Sequence, residues 1–108
     1  MGRRKVKIEN KEVKRFIETV KKKFEAEKII WFGSRVRGNH LEESDFDFII
    51  VSKKFEGIPF RERIIKVLNL TKKPWLFDVL CYTPDEFERK KKEIGIVSEA
   101  LREGIILE

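Results

Sequence analysis

The chain has 108 residues and a formal net charge of +6, with 41% hydrophobic and 41% charged residues. This length and composition predict a single globular domain over residues 1–108. Its apolar runs are too short to span a membrane, and the basic N-terminus lacks the apolar segment of a secretory signal. A single cysteine excludes an internal disulfide framework and favours a cytoplasmic protein.

The excess positive charge lies in residues 1–28, which hold eleven Lys or Arg and five Glu. Such a segment is typical of a surface that binds nucleic acid or an acidic partner, and also of a solvated helix face. Because Lys is mixed with Glu throughout the segment, we favour the solvated face.

The first half of the chain predicts one helix and two strands. Apolar residues recur at helical spacing from Val13 to Phe24, and Asn10 is placed to cap this helix. The β-prone runs 29–32 and 46–51 predict two strands, and the polar residues 33–44 predict the loop between them.

The second half predicts a helix, a strand, two further helical segments and a last strand. The helix begins near Pro59, with Phe60, Ile64, Ile65 and Leu68 on its core face. Residues 75–82 predict the third strand, and a capping box of Thr83 and Glu86 begins the next helix. A short helix over 97–102 and an edge strand over 105–107 follow. The order predicts an α+β (α/β) fold, a small mixed β-sheet covered on one face by helices.

Three aspartates stand out: Asp47 and Asp78 lie within apolar strands, and Asp45 directly precedes the second strand, where it could also be a loop acid or a helix cap. Side chains alternate faces along a strand, so Asp45 and Asp47 project from the same face. Asp78 lies inside an apolar run of the third strand, where we expect a buried charge. If the second and third strands pair, the three carboxylates converge. Such a trio suits a two-metal phosphoryl-transfer site, because Mg²⁺ binds through carboxylates, waters and substrate phosphates.

The residues that follow the first strand predict a phosphate-binding turn. Gly33 permits a tight turn, and backbone N–H groups with the Ser34 hydroxyl can hold phosphate oxygens. Arg35 and Arg37 are equally compatible with phosphate contact and with a solvated surface.

These elements resemble the DNA polymerase β-type nucleotidyltransferase superfamily. Its signature is a Gly-Ser pair, a variable loop, an Asp-x-Asp strand and a third acid on a later strand. Gly33-Ser34, Asp45-Phe46-Asp47 and Asp78 match it. Nearly the whole chain is similar to the minimal nucleotidyltransferase branch, which is little more than the catalytic palm.

The resemblance implies two Mg²⁺ ions held by Asp45, Asp47 and Asp78, with a nucleoside triphosphate held at Gly33 and Ser34. It implies transfer of a nucleoside monophosphate, AMP from ATP, to a hydroxyl of a protein or RNA acceptor, with release of pyrophosphate. It also implies a small helical HEPN-type partner in a toxin–antitoxin pair, and it leaves homo- or hetero-oligomers open.

Two rival interpretations remain. The chain carries no extra segment for acceptor recognition, which favours a binding module that neutralises a HEPN-like toxin by covering it. A nuclease with the same carboxylates is a third interpretation, although hydrolysis has no need of a triphosphate cradle.

The remaining candidate residues have ordinary structural interpretations. His40 is expected on the surface, since no second His or Cys lies nearby to complete a zinc site. Trp31 and Trp75 are expected in the core, Tyr82 is expected to pack at a strand end, and Cys81 is expected to be a buried small hydrophobe.

Overall fold

The computed structural model describes residues 10–33 and 46–107 of the chain. Within them the helices are α1 (Lys11–Phe24), α2 (Phe60–Leu68), α3 (Pro84–Lys91) and α4 (Ile96–Glu103). The strands are β1 (Lys28–Phe32), β2 (Phe46–Val51), β3 (Phe77–Tyr82) and β4 (Ile105–Leu107). The predicted order of helices and strands is confirmed.

The strands form one mixed sheet in the order β3-β2-β1-β4. β1 pairs antiparallel with β2 and with β4, whereas β2 pairs parallel with β3. Parallel neighbours need a crossover connection, and α2 lies in that connection. The predicted mixed sheet of an α+β fold is therefore confirmed.

Helices pack on both faces of the sheet, which corrects the prediction of one covered face. β2 explains the difference, because Phe48 and Ile50 face one side while Ile49 and Val51 face the other, and all four are buried. An apolar run such as residues 48–51 is typical of a strand that is buried on both faces. We call the two sides the α1 layer and the α4 layer.

Helices α1 and α2 contribute buried residues to the α1 layer, and helices α3 and α4 contribute them to the α4 layer. The α1 layer includes Val13, Phe16, Ile17, Val20, Ile29, Trp31, Phe48, Ile50, Val67, Phe77 and Val79. The α4 layer consists of Ile30, Ile49, Val51, Tyr82, Phe87, Val97 and Ala100, with Leu80 partly buried against it. No helix among the described residues is long and apolar enough to cross a membrane.

The local signals at two helix starts behave as predicted. The Asn10 side chain accepts hydrogen bonds from the backbone N–H groups of Glu12 and Val13, at 2.8 and 3.2 Å. At α3, the backbone N–H of Thr83 donates to Glu86 at 2.9 Å, and the backbone N–H of Glu86 donates back to the Thr83 hydroxyl at 3.2 Å. The predicted cap and capping box are both confirmed.

Two predictions about the core need correction. Of the predicted core face of α2, Ile64 and Leu68 pack against the core, whereas Phe60 and Ile65 are 40% and 52% exposed. The fully buried positions of α2 are Arg63 and Val67. Trp75 is 67% exposed, because residues 74–76 form a turn of 3₁₀ helix and the strand begins only at Phe77.

Candidate functional site

The candidate site lies at the edge of the sheet where β1 ends and where β2 and β3 begin. Phe32 at the end of β1 is opposite Asp47 of β2, and Asp47 is in register with Asp78 of β3. Neighbouring strands lie about 4.8 Å apart, and side chains in register on parallel strands point to the same face. The structure therefore brings Asp47 and Asp78 side by side, on the face of the α4 layer.

The two carboxylates differ in exposure from what the sequence predicted. Asp47 is partly buried, whereas Asp78 is exposed rather than buried. Asp78 precedes Leu80, the first β3 residue that packs into the α4 layer, so the helices of that layer leave it open to solvent. A charge at an open sheet edge needs no buried partner, and a ligand can approach it.

Gly33 approaches Asp47 more closely than any other residue type could. Its φ of +96° lies in the region that glycine tolerates. A Cβ atom built on Gly33 would overlap Oδ2 of Asp47 and lie 3.1 Å from Cγ. The glycine therefore lets the backbone at the end of β1 lie directly against the Asp47 carboxylate.

Four predicted site residues lie outside the described residues: Ser34, Arg35, Arg37 and Asp45. Their roles stay predictions, and so does the role of His40, which falls in the same segment. Of the predicted trio, the pairing of Asp47 with Asp78 is thus the part that the structure describes.

The chemistry of this pair fits a hard divalent cation. Mg²⁺ is commonly bound through one or two carboxylates, with waters and substrate phosphates as its other ligands. Within residues 10–33 and 46–107, no group of three or more His, Cys, Asp or Glu side chains is arranged to hold a metal alone. Two adjacent carboxylates at an open edge suit a cation that shares its coordination with a bound phosphate.

A cavity of about 200 Å³ lies beside Gly33. Its walls come from the end of β1 and from one side of α4, namely Phe32, Gly33, Ile96, Glu99, Ala100 and Glu103. The end of β1, which the sequence predicted as a phosphate-binding turn, therefore opens onto a concave surface.

A partly buried ion pair that the sequence does not reveal joins α2 and α3 at the end of β3 opposite to the site. Arg63 of α2 binds Glu86 of α3 through two hydrogen bonds, at 2.6 and 3.2 Å. It also donates to the backbone oxygens of Ile58 and Cys81, at 2.7 and 3.1 Å. The Arg63 hydrogen bond is the main reason that the pKa of Glu86 is lowered to about 2. In the sequence, nothing separates Arg63 from its exposed neighbour Arg61.

Besides Asp78, β3 carries two side chains that could act as nucleophiles, Cys81 and Tyr82, and both are buried. Burial raises the pKa of the Cys81 thiol to about 12, so the thiolate that would act as a nucleophile does not form near neutral pH. Burial also raises the pKa of Tyr82, which is only 8% exposed. The predictions of a buried Cys81 and a packed Tyr82 are confirmed.

Comparison with curated proteins finds two relatives from Methanocaldococcus jannaschii. "Putative protein adenylyltransferase MJ0141" is 39% identical over 59 residues, which cover 55% of this chain and 59% of the relative. "Putative protein adenylyltransferase MJ0604" is 47% identical over 45 residues, which cover 40% of this chain and 45% of the relative. The chain thus spans about half the length of the curated relatives it matches.

Comparison with solved structures finds related folds. A putative nucleotidyltransferase from Sulfolobus solfataricus has a TM-score of 0.59 and 29% identity, over 73% of this chain and 70% of that one. A second putative nucleotidyltransferase has a TM-score of 0.56 and 30% identity, over 89% and 97%. BolA1 from Arabidopsis thaliana has a TM-score of 0.57 and 26% identity, over 73% and 98%. The shape alone therefore does not single out one activity.

The family model separates these alternatives. The model described as "Nucleotidyltransferase domain" matches residues 13–106, which include Gly33, Asp47 and Asp78. Proteins of this kind generally use a nucleoside triphosphate and a divalent metal. With the match extending over most of the sheet and its helices, this chain belongs to the nucleotidyltransferase domain family.

Proposed function

We propose that residues 1–108 act as a single nucleotidyltransferase domain that transfers AMP from ATP to a hydroxyl of a protein or RNA acceptor. The observation that carries the proposal is the in-register pairing of Asp47 with Asp78, beside the glycine at the end of β1. The names of the two curated relatives support the adenylyl group over other nucleotidyl groups.

Each predicted residue has a defined task in this reaction. Asp45, Asp47 and Asp78 would hold two Mg²⁺ ions, whose chemistry is to neutralise the charge that develops on the phosphates. Gly33 and Ser34 would hold the triphosphate through backbone N–H groups and the hydroxyl, and Arg35 with Arg37 would contact its oxygens.

The transfer itself balances as a displacement at phosphorus. The acceptor oxygen forms a bond to the α-phosphorus, and the bond from that phosphorus to the bridging oxygen of the β-phosphate breaks. Pyrophosphate leaves with the electron pair, and the acceptor proton passes toward the Asp78 carboxylate. Asp78 suits this task because it is exposed and lies next to Asp47, on the side away from Gly33.

The test uses ATP labelled at the α-phosphate, Mg²⁺ and an extract of the source cells as a pool of acceptors. Asp47→Asn and Asp78→Asn are expected to lower labelling by on the order of 100-fold or more, since charge stabilisation in the transition state is lost. Asp85→Asn is the matched control, because Asp85 is an exposed carboxylate in the first turn of α3. Full labelling by both site variants would refute the proposal.

A second candidate function is a binding module that neutralises a HEPN-type partner by covering it. The observation that favours it is a set of exposed large apolar side chains, namely Phe60, Ile65, Trp75, Ile94 and Ile96. Co-expression of a HEPN-type toxin with Asp47→Asn separates the two functions. Rescue at the wild-type level supports masking, whereas loss of rescue supports modification of the partner.

A further inference from the structure

A groove lies along β3, on the same face of the sheet as the Asp47 and Asp78 pair but outside it. Its volume is about 650 Å³, and it is lined by Phe60, Leu80, Tyr82, Glu86, Arg89, Lys90, Glu93 and Ile96. We call it the Tyr82 groove. A cavity of this size falls in the range that binds ligands, about 300–1,000 Å³.

The floor of the Tyr82 groove begins next to the candidate site. Side chains alternate faces along a strand, so Leu80 and Tyr82 lie on the same face of β3 as Asp78. Two residues of strand span about 7 Å, which is the separation between Asp78 and the first groove residue. A ligand side chain that packs on Leu80 therefore lies about 7 Å from a group that is bound at Asp78.

The order of the site residues across the sheet indicates from which side the acceptor hydroxyl approaches. Gly33 directly follows β1, Asp47 belongs to β2 and Asp78 to β3, and these three strands lie side by side in that order. In phosphoryl transfer the attacking and leaving oxygens stand roughly in line on opposite sides of the phosphorus. With the triphosphate at Gly33, the attacking hydroxyl must come from the Asp78 side, where the Tyr82 groove lies.

The chemistry of the groove favours an apolar side chain with an acidic neighbour. Phe60 and Ile96 present apolar surface, at 40% and 53% exposure. Glu86 is paired with Arg63, and Lys90 lies 3.7 Å from Glu93, so these charges largely cancel. Arg89 at the rim forms no ion pair with any residue of the described part of the chain, and it attracts negative charge.

A polynucleotide fits this lining poorly. A nucleic-acid backbone binds where Lys and Arg are in excess, but the groove carries two glutamates against two basic residues. An apolar floor without excess cations is more typical of a surface that recognises a protein segment.

We propose that the Tyr82 groove binds the acceptor, and that this acceptor is a protein segment in extended conformation. The segment carries a Ser, Thr or Tyr that reaches Asp78, a large apolar residue two positions away that lies over Leu80, and an acidic residue near Arg89. This inference rests on the nucleotidyl transfer proposed above, and it adds the class of acceptor and its local sequence preference.

The test uses an array of synthetic peptides, each with a central Ser, Thr or Tyr and every residue type at the flanking positions. Single-stranded RNA oligonucleotides are placed on the same array. The array is incubated with ATP labelled at the α-phosphate, Mg²⁺ and the full chain. Wild type, Phe60→Ser and Arg89→Glu are compared with Ile65→Ser, an exposed α2 residue that does not line the groove.

The wild type is expected to label peptides with an apolar residue two positions from the hydroxyl. Phe60→Ser is expected to lower that labelling about tenfold, the scale of losing a methylene or more from an apolar pocket. Arg89→Glu is expected to label peptides with a basic flanking residue in preference to those with an acidic one. Ile65→Ser is expected to label the same peptides as the wild type.

The other outcomes separate the two proposals. Peptide labelling without a flanking preference, or equal labelling by Phe60→Ser, overturns the groove but leaves nucleotidyl transfer standing. Labelling of RNA alone also overturns the groove. Failure to label any molecule, with ATP and Mg²⁺ present, overturns the proposed function and this inference together.

Discussion

The contact between Gly33 and Asp47 predicts that Gly33→Ala destabilises the protein more than a substitution at another glycine with positive φ. A Cβ at Gly33 overlaps Oδ2 of Asp47, whereas a Cβ at Gly57 has no atom within 4 Å among the described residues. Their φ values are +96° and +79°. Gly57→Ala is therefore a matched control that changes backbone preference alone.

The magnitude can be worked from these two sites. Positive φ costs an alanine about 1–2 kcal/mol, offset by about 0.4–1 kcal/mol from the stiffer unfolded chain. Gly57→Ala should then lower the free energy of unfolding by about 1 kcal/mol. At Gly33 the overlap adds about 1–3 kcal/mol, as for other overpacked sites, so the loss should be roughly 2–4 kcal/mol.

Urea denaturation of both variants measures this difference, and a third variant assigns its cause. In an Asp47→Ala background the overlapping oxygen is gone, so most of the excess cost of Gly33→Ala should disappear. The coupling between the two positions should be about 1–3 kcal/mol, within the range for residues in contact. Equal losses for Gly33→Ala and Gly57→Ala, or an excess that persists without the Asp47 carboxylate, would refute the reasoning.

The remaining predictions concern residues near the end of β3 opposite to the site. Arg63→Met should lower the free energy of unfolding by about 2–4 kcal/mol because it leaves buried acceptors unpaired, while the exposed Arg61→Met should change it by less than about 0.5 kcal/mol. The lowered pKa of Glu86 contributes stability that is present above its ordinary value of 4.5 and is lost as pH falls through about 2. This contribution should be roughly 1–2 kcal/mol, discounted for partial exposure. Urea titrations across that pH window should find it reduced in Arg63→Met, where only the Thr83 hydrogen bonds still lower the pKa of Glu86. Cys81 should resist alkylation at pH 8 in the folded protein and react on unfolding, so rapid labelling of the native thiol would contradict its burial.

The sequence predicted the elements well because each has a local signal. Asn10 and the Thr83 capping box mark helix starts, and β2 is an apolar run apart from Asp47. The pairing of Asp47 with Asp78 was also within reach, since both interrupt apolar strands. It depended on one assumption, that their strands are neighbours, which β2 and β3 are.

The errors arose where tertiary contacts override local pattern. α2 has apolar residues on more than one side, and its buried face is decided by the hydrogen-bond acceptors that Arg63 finds on other elements. Asp78 was expected to be buried because its neighbours are apolar, yet burial depends on where the covering helices stop. The position of those helices depends on residues that are distant in sequence. The pattern of apolar residues along one strand therefore cannot predict it.

The parallel pairing of β2 with β3 also bears on the order of events during folding. β1 and β2 are consecutive antiparallel strands, whereas β3 is separated from β2 by the α2 crossover, so we expect the β1–β2 pairing to form before the β2–β3 pairing. Pairings between distant segments carry a larger loop-closure cost and tend to form late. On this expectation Asp47 meets Gly33 before it meets Asp78, and the carboxylate pair forms only when β3 joins the sheet. A cation that binds this pair would consequently favour the finished fold over partly folded chains.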